Sequence, residues 1–290
     1  MKSGKRPKLG SHMSIAGGYY RAVEAAAQAG CDCVQLFTKN NNQWRAKPVS
    51  DEDVRLFKDA LDQHSISCPL SHASYLINPA SPDPVLRQKS VEALVVELQR
   101  AAQLGIFGVV VHPGAFTTST EDEGIAAIID SVSSVLKQTA QLDVNLLLEN
   151  TAGQGTCLGW KLEQLQSIID GVRDNSRLGV CIDTCHAFAA GYNIADESEF
   201  KSFANQLKRL FGWERIQAIH LNDSKKGLGS RVDRHEHIGE GAIGIGAFQM
   251  LLNHPRLRKI PMYLETEKGD RDGVDLDVMN LQRLRELVEP

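Results

Sequence analysis

Nine histidines and acids of this 290-residue sequence are spaced as candidate ligands for divalent cations, and six of them recur at one structural position. His72, His112, Glu149, Asp183, His220 and Glu265 each close a short apolar or β-branched run. Asp183-Thr-Cys-His186 sets a further imidazole one helical turn beyond its acid. In Asp233-Arg-His235, alternate residues of an extended segment point the same way, so one acid and one imidazole can grip the same ion. Gathered on one rim, four carboxylates would repel one another and desolvate badly without a cation. A mixed set of five His, two Asp and two Glu suits Zn²⁺ or a similar divalent ion. Nine donors are too many for one tetrahedral site and fit two or three ions. Such ions, about 3.5–4 Å apart, can stabilise both the attacking and the leaving oxygen of a phosphoryl transfer.

The elements that must position these residues alternate along the chain. Strands are predicted at Lys8–His12, Asp32–Phe37, Ile66–His72, Gly108–His112, Val144–Glu149, Leu178–Asp183, Ile216–His220 and Pro261–Glu265. Helical spacing is predicted over Tyr20–Ala29, Asp51–Gln63, Val85–Leu104, Ile125–Leu142, Lys161–Ile169, Glu197–Phe211, Ala247–Leu252 and Asp277–Val288. Ser50-x-x-Asp53 reads as a helix cap and Gly105 as a helix stop. Strict alternation of eight strands with eight helices indicates a parallel sheet closed into a (β/α)₈ TIM barrel, residues 1–290 forming one domain. No GxGxxG follows the first strand, which disfavours an open dinucleotide-binding sheet. In a barrel of this kind all strand ends meet on the rim where active sites are built.

Composition narrows the class. With 42% hydrophobic and 23% charged residues the chain is neither disordered nor collagenous, and its length supports a core without staples. No apolar run approaches a membrane span. The basic stretch Met1–Lys8 (Lys2, Lys5, Arg6, Lys8) is followed by no apolar segment and is not a secretory signal. Gly10-Ser11-His12-Met13 looks like a cleaved-tag scar but fits a first strand running into a turn. Six scattered cysteines without a CxxC pair read as reduced packing residues, giving a cytoplasmic expectation. The formal charge of −4 argues against a nucleic-acid partner. Three Zn²⁺ ions would reverse its sign and concentrate the excess at the rim. Lys225, Lys226, Arg231 and Arg234, with Lys39, Arg45 and Lys47, then read as phosphate-positioning groups.

Any one of these histidines alone would be better explained by packing, and isolated rim acids commonly pair with Lys or Arg. Six strand ends in a row drawn from three ligand types are not explained that way. His64, His237 and His254 are expected to be structural, with His237 the rival to His235. His12 is expected to be structural too, its place on the same rim leaving open a supporting role toward a ligand. Cys181 and Cys185 are expected to be buried packing.

Three long motifs carry a resemblance: His72-Ala-Ser-Tyr-Leu-Ile-Asn78, Gly179-Val-Cys-Ile-Asp-Thr-Cys-His186, and His220-Leu-Asn-Asp-Ser-Lys-Lys226 followed by Gly229-Ser-Arg-Val-Asp-Arg-His235. With Leu9–Gly18, Leu36–Asn40, Gln43–Arg45 and Glu149–Gly153 they resemble the endonuclease IV family of abasic-site endonucleases, from about Leu9 to the C-terminus. The resemblance implies a (β/α)₈ barrel with three zinc ions, Mn²⁺ being an alternative occupant at some positions. One ion would be held by His72, His112 and Glu149. A second would share Glu149 and add Asp183, His220 and Glu265, and a third would take His186, Asp233 and His235. It implies hydrolysis of the phosphodiester 5′ to an abasic site, leaving a 3′-hydroxyl and a 5′-deoxyribose phosphate. Glu149 would orient or deprotonate the attacking water, and blocked 3′ ends would be trimmed by the same chemistry. It further implies a monomer acting on bent double-stranded DNA, with Tyr75 and Leu76 filling the gap left by a flipped nucleotide. The chain departs from the family between Lys39 and Trp44, where Asn40-Asn41-Asn42-Gln43 replaces an inserting arginine. Two other classes compete. A sugar isomerase or epimerase on the same superfold would hold one or two Mg²⁺ or Mn²⁺ ions through oxygen ligands, and a zinc-binding damage sensor would have a closed metal shell.

Overall fold

A computed structural model describes residues 6–289, so Lys2 and Lys5 lie outside the described residues. Eight parallel strands close a barrel: β1 (Leu9–Met13), β2 (Cys33–Phe37), β3 (Ser67–His72), β4 (Gly108–Val111), β5 (Asn145–Glu149), β6 (Leu178–Asp183), β7 (Ile216–His220) and β8 (Met262–Leu264). β8 pairs with both β7 and β1, so no edge strand is left open. β1 and β2 approach so closely that a Cβ on Gly10 would sit 1.9 Å from the Cys33 carbonyl oxygen; only glycine fits there. The stretch that looked like a tag scar is thus a barrel strand.

The helices stack outside. They are α1 (Tyr19–Gln28), α2 (Asp51–His64), α3 (Pro84–Leu104), α4 (Glu121–Gln138), α5 (Leu162–Gly171), α6 (Thr184–Ala190), α7 (Glu197–Arg215), α8 (Ile245–Asn253) and α9 (Leu276–Glu286). Ser50 and Asp53 form the capping box expected for α2, and Gly105 ends α3 in the left-handed region at φ 76°. α4 starts four residues earlier than expected, because Thr120 and Glu123 form a second capping box. The strict alternation is broken after β6 by an additional helix, and after β7 and β8 by two-residue antiparallel ribbons, Asp223–Ser224 with His235–Glu236 and Asp270–Arg271 with Val274–Asp275. α6 springs directly from the end of β6, with the Asp183 side chain accepting from the His186 amide, and α7 follows before β7.

Two kinds of core result. Leu94, Leu98, Ile128, Leu146, Leu165 and Phe248 belong to a large apolar layer between strands and helices. Inside the barrel, Cys33, Leu70, Val110, Leu147, Cys181, Ala218 and Tyr263 form a separate buried plug. Side chains two apart on a strand share a face, so the next inward residues are Gln35, His72, His112, Glu149, Asp183, His220 and Glu265. The plug is the floor on which the polar residues stand. Among the described residues no helix is long and apolar enough to cross a membrane.

Candidate metal centre

Glu149 is the hub. It ends β5 fully buried, with Oε2 3.1 Å from His72 Nε2 and 3.2 Å from His112 Nε2. Its other oxygen, Oε1, lies 2.8 Å from His220 Nδ1 and 3.4 Å from His186 Nδ1. His220 Nδ1 also lies 3.3 Å from Glu265 Oε2 and 3.9 Å from Asp183 Oδ2. Across the mouth, His186 Nε2 is 3.1 Å from Asp233 Oδ2, and His235 Nε2 is 3.4 Å from Asp233 Oδ1. All nine residues singled out from the sequence therefore converge on one end of the barrel. His112 and Glu265 lie one residue beyond their strands rather than ending them. The Glu265 amide has left the ladder and donates to the Asn222 side chain.

The imidazoles are aimed by their second nitrogens. His72 Nδ1 is 2.8 Å from the Ala73 carbonyl oxygen, His186 Nδ1 2.9 Å from that of Asn150, and His235 Nδ1 3.2 Å from that of Glu265. A carbonyl only accepts, so each Nδ1 carries the proton and each Nε2 turns its lone pair toward the carboxylates. Asn150 and Asn222, missed in the sequence, brace the acids. Asn150 exchanges two hydrogen bonds with the Asp183 backbone, and Asn222 donates to Asp183 Oδ2 at 2.6 Å. Their signal was position, one or two residues past ligands already in hand.

The donor set fits a cation. Three groups have ligand atoms mutually within 4.8 Å: His72, His112 and Glu149; Glu149, Asp183, His220 and Glu265; and Asp183, His186 and His235. The last draws in Asp183, while Asp233 and His235 also form a group with Cys185. Buried Nε2 atoms of His186 and His235 face carboxylates 3.1–3.6 Å away yet make no hydrogen bond, as expected of lone pairs pointing at a shared ion. Burial opposes an ionised Glu149, but the His220 and His112 imidazoles override it and hold the carboxyl well below its usual range. Burial likewise favours neutral His186, yet the Asp183 and Asp233 carboxylates push it well above its ordinary value. The cluster demands positive charge. Burial pushes the Cys185 thiol up to about 12, which favours packing over thiolate ligation.

Around this centre the expectations separate. Tyr75 stands on the rim, 67% exposed, its ring 5.6 Å from Phe37 and 6.1 Å from His72; Leu76 beside it is half-buried. A cleft of about 240 Å³ opens beneath Tyr75 among His72, Asn78, His112, Thr151 and Cys157. Lys226, Arg234, Arg45 and Lys47 are exposed, while Arg231 stacks 3.7 Å over the Trp160 ring and Lys225 lies 3.5 Å from Glu267. Lys39 corrects the reading of basic loops. It is buried, ion-paired to Glu97 at 3.2 Å and bonded to the Gln43 carbonyl, so it braces its loop instead of offering charge to phosphate. His237 is buried and hydrogen-bonded to Asn280, as a structural histidine should be. His12 takes the supporting alternative, with Nδ1 2.9 Å from Gln35 and 3.6 Å from Glu265.

Comparison with known proteins agrees with this geometry. Residues 23–287 match the family model described as xylose isomerase-like TIM barrel. A relative named probable endonuclease 4, from Geobacter sp. (strain M21), is 47% identical over 97% of this chain and 99% of its own. The crystal structure of endonuclease IV from Thermus thermophilus superposes with a TM-score of 0.85 at 36% identity, covering 97% of this chain and 98% of that one. A D-tagatose 3-epimerase-like protein reaches a TM-score of 0.72 at 22% identity, covering 97% of this chain and 96% of that one, which shows a shared fold alone.

Proposed function

The chain belongs to the endonuclease IV family, whose members are DNA-cleaving hydrolases, and on that premise we propose that it is a zinc-dependent apurinic/apyrimidinic endonuclease of base excision repair. It hydrolyses the phosphodiester 5′ to an abasic site in double-stranded DNA, leaving a 3′-hydroxyl and a 5′-deoxyribose phosphate. Blocked 3′ ends are trimmed by the same chemistry, and the chain acts in the cytoplasm as a monomeric single-domain barrel. The observation that carries this reading is Glu149, whose two oxygens join the His72/His112 side of the cluster to the His220/His186 side.

His72, His112 and Glu149 would hold one zinc ion, Glu149, Asp183, His220 and Glu265 a second, and His186, Asp233 and His235 a third, with Mn²⁺ replacing zinc at some positions. When bound, the ions supply Lewis-acid stabilisation of the phosphoryl oxygens and a more acidic water. Glu149 orients or deprotonates the attacking water, its two oxygens standing between the donor groups of two of the ions. Tyr75 and Leu76 fill the duplex where the abasic nucleotide leaves it, Tyr75 being exposed on the rim above His72. Arg45, Lys47, Lys226 and Arg234 contact flanking phosphates.

The test is a duplex carrying one tetrahydrofuran abasic analogue, with products resolved at single-nucleotide resolution with and without a chelator. The analogue cannot undergo elimination. A single chelator-sensitive cut on its 5′ side with a 3′-hydroxyl is expected; a zinc-loaded chain that leaves the duplex intact would overturn the reading.

A further inference from the structure

Among the inward-facing residues above the plug, Gln35 alone is not a metal-ligand type. It sits on β2, fully buried, two residues after the plug residue Cys33. Its amide touches three groups. Oε1 lies 2.8 Å from His220 Nε2, while Nε2 lies 2.5 Å from Glu265 Oε1 and 2.9 Å from His12 Nδ1.

The chemistry of the partners fixes which way this amide faces. An ionised carboxylate only accepts, so the Gln35 NH₂ must point at Glu265. Its carbonyl is then left for His220, which must donate from Nε2. That commitment leaves Nδ1 as the nitrogen of His220 that faces Glu149, Asp183 and Glu265. The same amide pins one oxygen of Glu265 and leaves Oε2 toward the cluster, 3.3 Å from His220 Nδ1. The second amide hydrogen falls to His12, whose Nδ1 must accept it.

We propose that Gln35 is a positioning residue that sets the His220 tautomer and the Glu265 rotamer together, building the four-residue metal group from behind. The inference rests on the zinc reading above and adds to it a selectivity between ions. Gln35 hydrogen-bonds His220 and Glu265 of the Glu149/Asp183/His220/Glu265 group, and its hydrogen bonds reach none of His72, His112, His186, Asp233 or His235.

The test compares wild type with Gln35→Met, which keeps length and removes both hydrogen-bonding ends. Zinc-loaded proteins are challenged with a chromophoric chelator, and the release of each ion is followed in time. One of the three ions is expected to leave about 10–100-fold faster in the variant, the other two at wild-type rates. Nitrogen-15 NMR of the imidazoles supplies a readout that needs no variant: in wild type, His220 should be protonated at Nε2. In metal-free Gln35→Met, where no ion holds Nδ1, that preference should be lost. Unchanged release, or equal acceleration of all three ions with a lowered melting temperature, would overturn the proposal in favour of a purely structural glutamine. So would a wild-type His220 protonated at Nδ1 and bare at Nε2. A wild-type chain that takes up no zinc would instead remove the function reading, and the selectivity with it.

Discussion

Two successive inward positions on seven of the eight barrel strands have opposite chemistry. The lower layer, Cys33, Leu70, Val110, Leu147, Cys181, Ala218 and Tyr263, is a fully buried cluster. Two residues later on the same strands stand Gln35, His72, His112, Glu149, Asp183, His220 and Glu265, among which carboxylates lie 2.8–3.9 Å from imidazoles. The lower layer is satisfied by burial alone, whereas the upper is complete only when positive charge enters it. Stability and activity therefore separate along about 7 Å of each strand, two residues of rise. The plug fixes the strand spacing, and the ligands inherit that spacing as their geometry.

Changes in the upper layer should therefore cost function before stability, and changes in the lower layer the reverse. The largest effect is expected from Glu149→Gln, which keeps the shape and removes the charge and the base. Cleavage should fall by about 10²–10⁴-fold or below detection, while abasic-duplex affinity by fluorescence anisotropy stays within a few-fold of wild type. Retained turnover would refute the role given to Glu149. Next is Leu147→Ala in the plug, expected to cost about 2–5 kcal/mol of unfolding free energy in a denaturant titration. The surviving folded fraction should still bind zinc. A variant with wild-type stability would show that the plug is not what holds the strands.

A smaller effect lies on the rim loop. Asn42→Arg is expected to tighten binding to abasic duplex at fixed low salt, with cleavage chemistry unaltered in single-turnover assays. An unchanged dissociation constant would show that this loop does not reach the DNA. The smallest change, remote from both layers, is Glu240→Gln. Hydrogen bonds from Arg271 and Arg283 hold the Glu240 carboxyl at about 2, below its ordinary 4.5. A depressed acid stabilises the fold above its unfolded value and loses that contribution as pH falls through the folded one. The melting difference between wild type and Glu240→Gln should be full at neutral pH and fade between about pH 4.5 and 2. A difference independent of pH would contradict this.

Much of the upper layer could be read from the sequence because six of the candidate metal-binding residues stand at or one residue beyond the ends of strongly patterned strands. Asp233 and His235 were legible from their alternation and from motif resemblance. Gln35 was not, for a geometric reason. β2 runs two residues beyond its inward polar position to Phe37, because the strands of a closed barrel are sheared, and reading only strand ends passes over it. Counting inward by two from Cys33 would have found it, but nothing in sequence marks Cys33 as plug. Lys39 was misread for a related reason: its partner Glu97 is 58 residues away on α3, and no local pattern announces the pair. α6 escaped because its seven residues are nearly all buried and show no amphipathic period.

The central claim is that the upper layer is a metal centre standing on an apolar floor. Its most direct test is elemental analysis of zinc-reconstituted protein, measured for wild type, His220→Ala and Leu147→Ala. Wild type and folded Leu147→Ala should retain three ions per chain, and His220→Ala should lose at least one. Less than one ion in wild type, or the same content after His220→Ala, would contradict the account.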